Sequence, residues 1–126
     1  MKLAINESSV ILIYAKLFWN FTNIEINKGE VYKFEAEGIW RDLYKKTDPE
    51  GYTNFYMNLF NSLKRSQGHK WFALMGNLDK SYDFLIGKSQ QISFSEKGNL
   101  YCYANDAKGF YWNNSGKVAV KIRRIN

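Results

Sequence analysis

Short runs of alternating apolar and polar residues, separated by turn residues, dominate this chain, which is the period-2 pattern of half-buried β-strands. In Val31 to Ala36, Tyr32, Phe34 and Ala36 fall on one face and Val31, Lys33 and Glu35 on the other. The stretch Lys117 to Arg123 alternates most clearly, with Val118, Val120 and Ile122 inward and Lys117, Lys121 and Arg123 outward. Leu100, Cys102 and Ala104 share a face opposite Tyr101 and Tyr103. Further strands are expected at Val10 to Ala15, Phe18 to Ile26, Trp71 to Met75, Tyr82 to Ile86 and Gln91 to Ser95. Asn27-Lys28-Gly29-Glu30, Gly76-Asn77, Gly87-Lys88 and Glu96-Lys97-Gly98-Asn99 are the natural stops between them. Roughly eight short strands at this spacing predict an all-β fold, an antiparallel β-sandwich or jelly roll.

From Arg41 to Gly68 the rhythm breaks. After the turn-like Thr47-Asp48-Pro49-Glu50-Gly51, the residues Tyr56, Leu59, Phe60 and Leu63 recur at helical spacing. One short helix, or a long ordered loop, is expected there, with the aromatic stripe packed into the core.

The chain has 126 residues, about the size of one domain, and nothing in it reads as a linker, a repeat or low-complexity sequence. A single domain over 1–126 is therefore expected. Nine Tyr, nine Phe and four Trp reinforce the preference for strands. Cys102 is the single cysteine, so neither an internal disulfide nor a cysteine-rich zinc site is available, and an inert buried thiol is expected. Lys16 and Asn20 interrupt the apolar run from Val10 well short of a membrane span. Asn6 and Glu7 precede that run, so it reads as a strand rather than a secretory leader, and the compartment stays open.

A formal charge of +6, with basic residues at Lys45-Lys46, Lys64-Arg65 to Lys70 and Lys121 to Arg124, favours acidic partners. No nucleic-acid-binding pattern accompanies these charges, so no nucleic acid partner is expected. His69 has no assignable catalytic partner, and Asp79, Asp83 and Glu96 are dispersed. An enzyme is not expected.

The chemistry concentrates in the loop Asn105 to Gly116, which offers a carboxylate, several amide carbonyls and a hydroxyl within a dozen positions. Hard cations such as Ca²⁺ take six to eight oxygen ligands of these kinds. Gly109 lets the chain fold back, so that a carbonyl near Phe110 and the amides of Asn113 and Asn114 can converge on an ion held by Asp106. The loop lacks the alternating acids of an EF-hand. A plain polar turn rich in Asn and Gly is the alternative.

Asn105-Asp106 followed by Asn113-Asn114-Ser115-Gly116 resembles the calcium-dependent sugar site of the bacterial PA-I galactophilic lectins. The strand Gly98 to Ala104, the segment Val118 to Ile122, the turn Asn27 to Val31 and the stretch Ala36 to Asp42 are also similar to that family. The resemblance is weakest from Leu43 to Ser81. It implies a galactose-binding-domain-like β-sandwich in which Asp106, Asn113 and Asn114 ligate Ca²⁺ by side chains and Phe110 by its carbonyl. Asp42 would add a fifth group by carbonyl or carboxylate. Two sugar hydroxyls would complete the shell, so the implied function is that of a lectin, recognising a glycan without breaking bonds.

Where the galactose-binding members have a His-Pro pair and a nearby Gln, this chain has Asp48-Pro49 followed by Glu50. Those three residues, with Trp112 inside the loop, are the expected positions of altered sugar contact. Trp112 can stack on a sugar face, or pack on Tyr111 or the sheet. A homo-oligomer is compatible with weak single sites gaining avidity. The competing expectation is a non-catalytic sandwich that binds an anionic glycan, a membrane surface or a protein without calcium, for which the basic clusters and Tyr52 to Leu63 speak.

Overall fold

The computed structural model describes residues 1–126 as two packed antiparallel sheets. Nine strands form in chain order: β1 (Ser8–Tyr14), β2 (Asn20–Ile26), β3 (Val31–Asp42), β4 (Lys45–Thr47), β5 (Leu74–Leu78), β6 (Tyr82–Leu85), β7 (Ser89–Ser93), β8 (Gly98–Ala104) and β9 (Asn114–Arg124). A one-turn helix α1 (Phe55–Asn58) and a 3₁₀ turn at Asn61–Leu63 lie between β4 and β5, and a second 3₁₀ turn, Tyr111–Asn113, precedes β9. One sheet runs β1-β9-β3-β4, with β7 also pairing β3, and the other runs β2-β8-β5-β6. The β-sandwich expected from the alternation is thus the fold.

Alternation is what faces the two sheets together. Tyr32, Phe34 and Trp40 from β3, Val118, Val120 and Ile122 from β9, and Leu100, Cys102 and Ala104 from β8 are all buried in one core. Removing such side chains from water contributes about 1.5–3 kcal/mol each, which drives the sheets together. Cys102 is buried and free, and burial pushes its thiol up to about 12, in keeping with an inert residue.

Strand β3 serves two neighbours on one side, β7 along Val31 to Glu35 and β4 along Trp40 to Asp42, while β9 runs beside its whole length on the other. The change of neighbour falls at Gly38, whose φ of +124° suits glycine and whose Cβ would lie 3.2 Å from the Val118 backbone.

Three expectations are corrected. The strand predicted from Trp71 begins at Leu74, because Phe72 adopts φ 62° and bends the chain. Gly76-Asn77 does not stop that strand but lies within it, where the Phe84 ring of β6 covers Gly76 and would collide with any Cβ. The turn sits instead at Asp79-Lys80, both at positive φ, as a tight hairpin requires. The third correction concerns the aromatic stripe. Tyr56 is 75% exposed and Leu59 68%, and α1 buries none of its residues, so the short helix forms as expected without entering the core.

Candidate functional site

The inward rows of the sandwich carry on past the core at one end, and there their residue type changes. On β3 the row Tyr32, Phe34, Trp40 continues to Asp42. On β8 Leu100, Cys102, Ala104 continues to Asp106, and on β9 the row Ile122, Val120, Val118 runs back to Asn114. Period-2 geometry therefore aims two carboxylates and an amide into the same mouth of the sandwich. Asp42 and Asn114 are direct cross-strand partners, and the Leu43 amide donates to the Asn113 carbonyl at 3.2 Å.

A cavity of about 480 Å³ opens at this mouth, lined by Asp42, Asp106, Phe110 and Asn113 on its polar side. Met57, Phe60, Leu63 and Trp71 form an apolar wall opposite. The sequence thus brought the metal-loop candidates to one place, together with Asp42 from a distant strand. Asn114 stands buried just behind them, its Nδ2 donating to the Ala15 carbonyl at 3.1 Å.

Seven buried side-chain polar atoms in the protein lack a hydrogen-bond partner, and three of them are Asp106 Oδ2, Asn113 Oδ1 and Asn114 Oδ1. Buried acceptors left unpaired cost about 1–3 kcal/mol each, so a cluster of three oxygens at one mouth is out of the ordinary. Oxygen acceptors without donors are what a hard cation needs. The set contains no Cys or His, the donors that softer metals take, and it has two carboxylates rather than three, since no three His, Cys, Asp or Glu side chains gather in the fold. The residues fit Ca²⁺.

Charge strain accompanies the unpaired oxygens. Burial, and then the charge of nearby Asp42, push the Asp106 carboxyl up to about 6, against the pull of the Ala107 amide and the Asn114 side chain. Burial raises Asp42 as well, while a 2.6 Å hydrogen bond from the Tyr52 hydroxyl lowers it. That hydroxyl is itself held well above the usual tyrosine range by burial and by Asp42. Two carboxylates sharing a half-closed mouth form a site that a cation would relieve.

The other sugar-contact candidates lie elsewhere. Pro49 is buried, and its carbonyl accepts from Leu74 N. Asp48 pairs with the Lys88 ammonium at 3.1 Å, and Glu50 Oε1 accepts from the Lys88 amide at 2.8 Å. None of the three lines the cavity, although Asp48 borders a shallow groove beside it that shares Lys45 and Tyr52. Trp112 is 69% exposed and packs on no other ring, so it projects from the loop beside Asn113.

Two residues that sequence reasoning treated as free charge prove to be structural. The Arg65 guanidinium lies 3.5 Å from the Tyr103 ring centre, 3.7 Å from Phe18 and 4.2 Å from Trp19. It also donates to the Phe18 carbonyl at 2.6 Å and to the Tyr111 hydroxyl at 3.1 Å, while its backbone amide donates to the Asp106 carbonyl. Lys64 donates to the His69 carbonyl at 2.6 Å and sits over Trp71. Arg65 clamps the 64–70 segment onto the 105–116 loop, and Lys64 braces that segment internally. The buried Asn105 side chain holds the same segment, accepting from Ser66 N and donating to the Ser66 and Lys70 carbonyls.

Tyr52 is the site residue that the sequence did not announce. It lies in the irregular segment after Pro49, where the isolated bridge from Tyr52 to Trp71 holds it with its hydroxyl on Asp42.

Sequence comparison finds no matching protein family and no matching curated relative. Among solved structures, the chain is similar to "EclA N-terminal domain; PllA-like lectin", with a TM-score of 0.73 and 20% identity over 91% of this chain and 94% of that one. At that identity the likeness establishes the fold alone, the two-sheet β-sandwich described above.

Proposed function

We propose that this protein is a calcium-dependent lectin whose site is the mouth formed by Asp42, Asp106, Phe110, Asn113 and Asn114. The observation that carries the reading is the trio of buried, unpartnered oxygens on Asp106, Asn113 and Asn114 beside a second carboxylate, Asp42. A bound Ca²⁺ would supply open coordination positions for two neighbouring sugar hydroxyls.

The chain's own residues do the rest. Asn114 is fixed by the bond from its Nδ2 to the Ala15 carbonyl, and its Oδ1 is left without a hydrogen-bond partner. Tyr52 holds Asp42 Oδ2, leaving the other oxygen for the cation. The Phe110 carbonyl accepts only a long 3.4 Å bond from Asn113 N and so keeps acceptor capacity. Trp112 and Phe110 offer exposed rings at the rim for the apolar face of a sugar. None of these groups is arranged as a nucleophile with a base, which supports recognition without catalysis. The lectin fold of the similar structure supports the same reading.

A glycan array probed with calcium and again with chelator tests it. The expected result is binding that disappears with chelator and in Asp106→Asn. Glycan binding that persists through both changes, or none on any array, would sink the proposal.

A further inference from the structure

We propose that the rim of this mouth is a membrane-docking surface, which partitions into the interface of an anionic bilayer and so presents the site to headgroups at a lipid surface. The rim is built from three loops that end at the same opening. Leu43 and Tyr44 after β3, Phe60 and Leu63 after α1, and Phe110 in the 105–116 loop line the opening, while Phe55, Tyr56 and Leu59 stand on the same α1 segment and Trp112 beside Asn113. Every one of these nine side chains is among the exposed large hydrophobic residues, with Tyr44 at 85% the most exposed.

The way α1 is held shows that this exposure is built in. Short helices ordinarily owe their order to one buried apolar face. Here order comes from polar anchors instead. Asn54 accepts from Met57 N at 2.7 Å, and the Trp71 indole donates to the Met57 carbonyl and to Asn61 Oδ1, each at 3.2 Å. The backbone is tied down from below, and Phe55, Tyr56 and Leu59 are left projecting outward.

Charge decides among possible occupants. Gly51 to Leu63 contains no charged residue, while exposed Lys45 lines the mouth, Lys46 the groove beside it, and exposed Lys108 lies in the 105–116 loop. The acidic groups nearby are recessed or already held. Asp42 and Asp106 point into the cavity, Asp48 pairs with Lys88, and Glu50 binds the Lys88 amide. A second copy docked on this face would bring lysine against lysine, because Asp106 is recessed inside the cavity at 3% exposure and is no rim partner for them. An anionic lipid surface meets lysines with opposite charge, and Phe, Tyr, Trp and Leu are the side chains that settle at the headgroup boundary. Projecting rings also suit a soft phase better than a rigid partner surface, which needs pockets to receive them. The inference stands on the rim alone and does not require the calcium reading.

The test is co-sedimentation of the full chain with phosphatidylcholine vesicles containing about 30% phosphatidylglycerol, with pure phosphatidylcholine vesicles as comparison. The chain is expected to pellet with the anionic vesicles, and Phe55→Ser and Leu59→Ser are each expected to weaken partitioning by about tenfold or more. Neither changes charge or removes a buried contact, so the melting temperature should stay in place. Asp106→Asn, which disables the cation site, should leave partitioning intact. If partitioning holds while calcium-dependent glycan binding is absent, the rim stands and the lectin reading fails. If glycan binding holds but the chain never pellets, or pellets equally well after both serine substitutions, the rim proposal is overturned. Concentration-dependent self-association abolished by those same substitutions would overturn it too, by making a second copy the occupant.

Discussion

The Tyr52 hydroxyl donates a 2.6 Å hydrogen bond to Asp42 Oδ2, tying the irregular segment after β4 to the carboxylate at the end of β3. That bond lowers the affinity of Asp42 for a proton and fixes which of its oxygens faces the mouth. Tyr52→Phe should keep the ring's packing and lose about 0.5–1.5 kcal/mol of stability, seen as a fall of a few degrees in melting temperature. Freed from its donor, Asp42 should hold its proton to higher pH. Calcium titrated by calorimetry should then bind about tenfold more weakly, with the deficit widening as pH falls. Unchanged affinity in Tyr52→Phe would show that Asp42 is not among the ligands.

Asp106, with Asp42 raised in the same direction, makes the cation-free protein sensitive to pH. The folded-state carboxyl of Asp106 sits at about 6, above the ordinary carboxylate value, so the folded chain binds a proton more tightly than the unfolded chain. Stability of the calcium-free protein should therefore fall as pH rises from about 4 through 6, the reverse of a carboxylate stabilised by a salt bridge. Added calcium should restore it, and more strongly at pH 7 than at pH 5, because below about 6 the ion must displace a proton from Asp106. Thermal melts in chelator and in calcium across that range check both slopes. A calcium-induced rise in melting temperature that is flat with pH would remove Asp106 from the site.

Much of this was legible in the chain because alternation is a direct readout of a two-layer sheet fold. The parity that buries Trp40, Ala104 and Val118 also carries Asp42, Asp106 and Asn114 to the same side, so the polar mouth is written into three strands. What the sequence hid was irregular backbone. The positive φ values at Leu43 and Phe72 redirect the chain at positions whose side chains give no turn signal. Tyr52 and Arg65 acquire their partners through those bends, from segments with no periodicity to read. The aromatic spacing of Tyr56, Leu59, Phe60 and Leu63 misled for a related reason, since helical period specifies which residues share a face but not what that face meets.

Arg65 shows what the hidden part contributes. Its guanidinium is enclosed by Phe18, Trp19 and Tyr103 and bonded to the Phe18 carbonyl and Tyr111 hydroxyl. Arg65→Lys keeps the charge but cannot fill a planar gap between rings or reach both acceptors. A loss of about 2–3 kcal/mol is expected, read as a drop of roughly 6–15 °C in melting temperature. Because the Arg65 amide also donates to the Asp106 carbonyl, calcium affinity should fall with it. A substituted protein as stable as the parent would mean that the ring cage is incidental.

The free edge of β1 bears on assembly. Ala15 N donates to the Gly116 carbonyl and Arg124 N to the Glu7 carbonyl, so odd-numbered residues of β1 face β9 and even-numbered ones face outward. At Tyr14 the Asn20 side chain caps both outward groups, which leaves Ser8, Val10 and Leu12 with open N–H and C=O groups. The strand Ser8–Tyr14 has neither proline nor charge, the usual protections of an edge. Two copies paired antiparallel about Val10 would satisfy all three residues. The basic outer faces of the two β9 strands would stand about three strand spacings, or roughly 14 Å, apart, beyond the screening length at physiological salt. The mouths would then sit at opposite ends of one continuous sheet, since Ala15 adjoins Asn114 at the end of β1. Sedimentation velocity should show a dimer that Val10→Lys converts to monomer, with the melting temperature of the monomer little changed because Val10 is solvent-facing. A parent protein that sediments as a monomer at high concentration would rule this edge out as an interface.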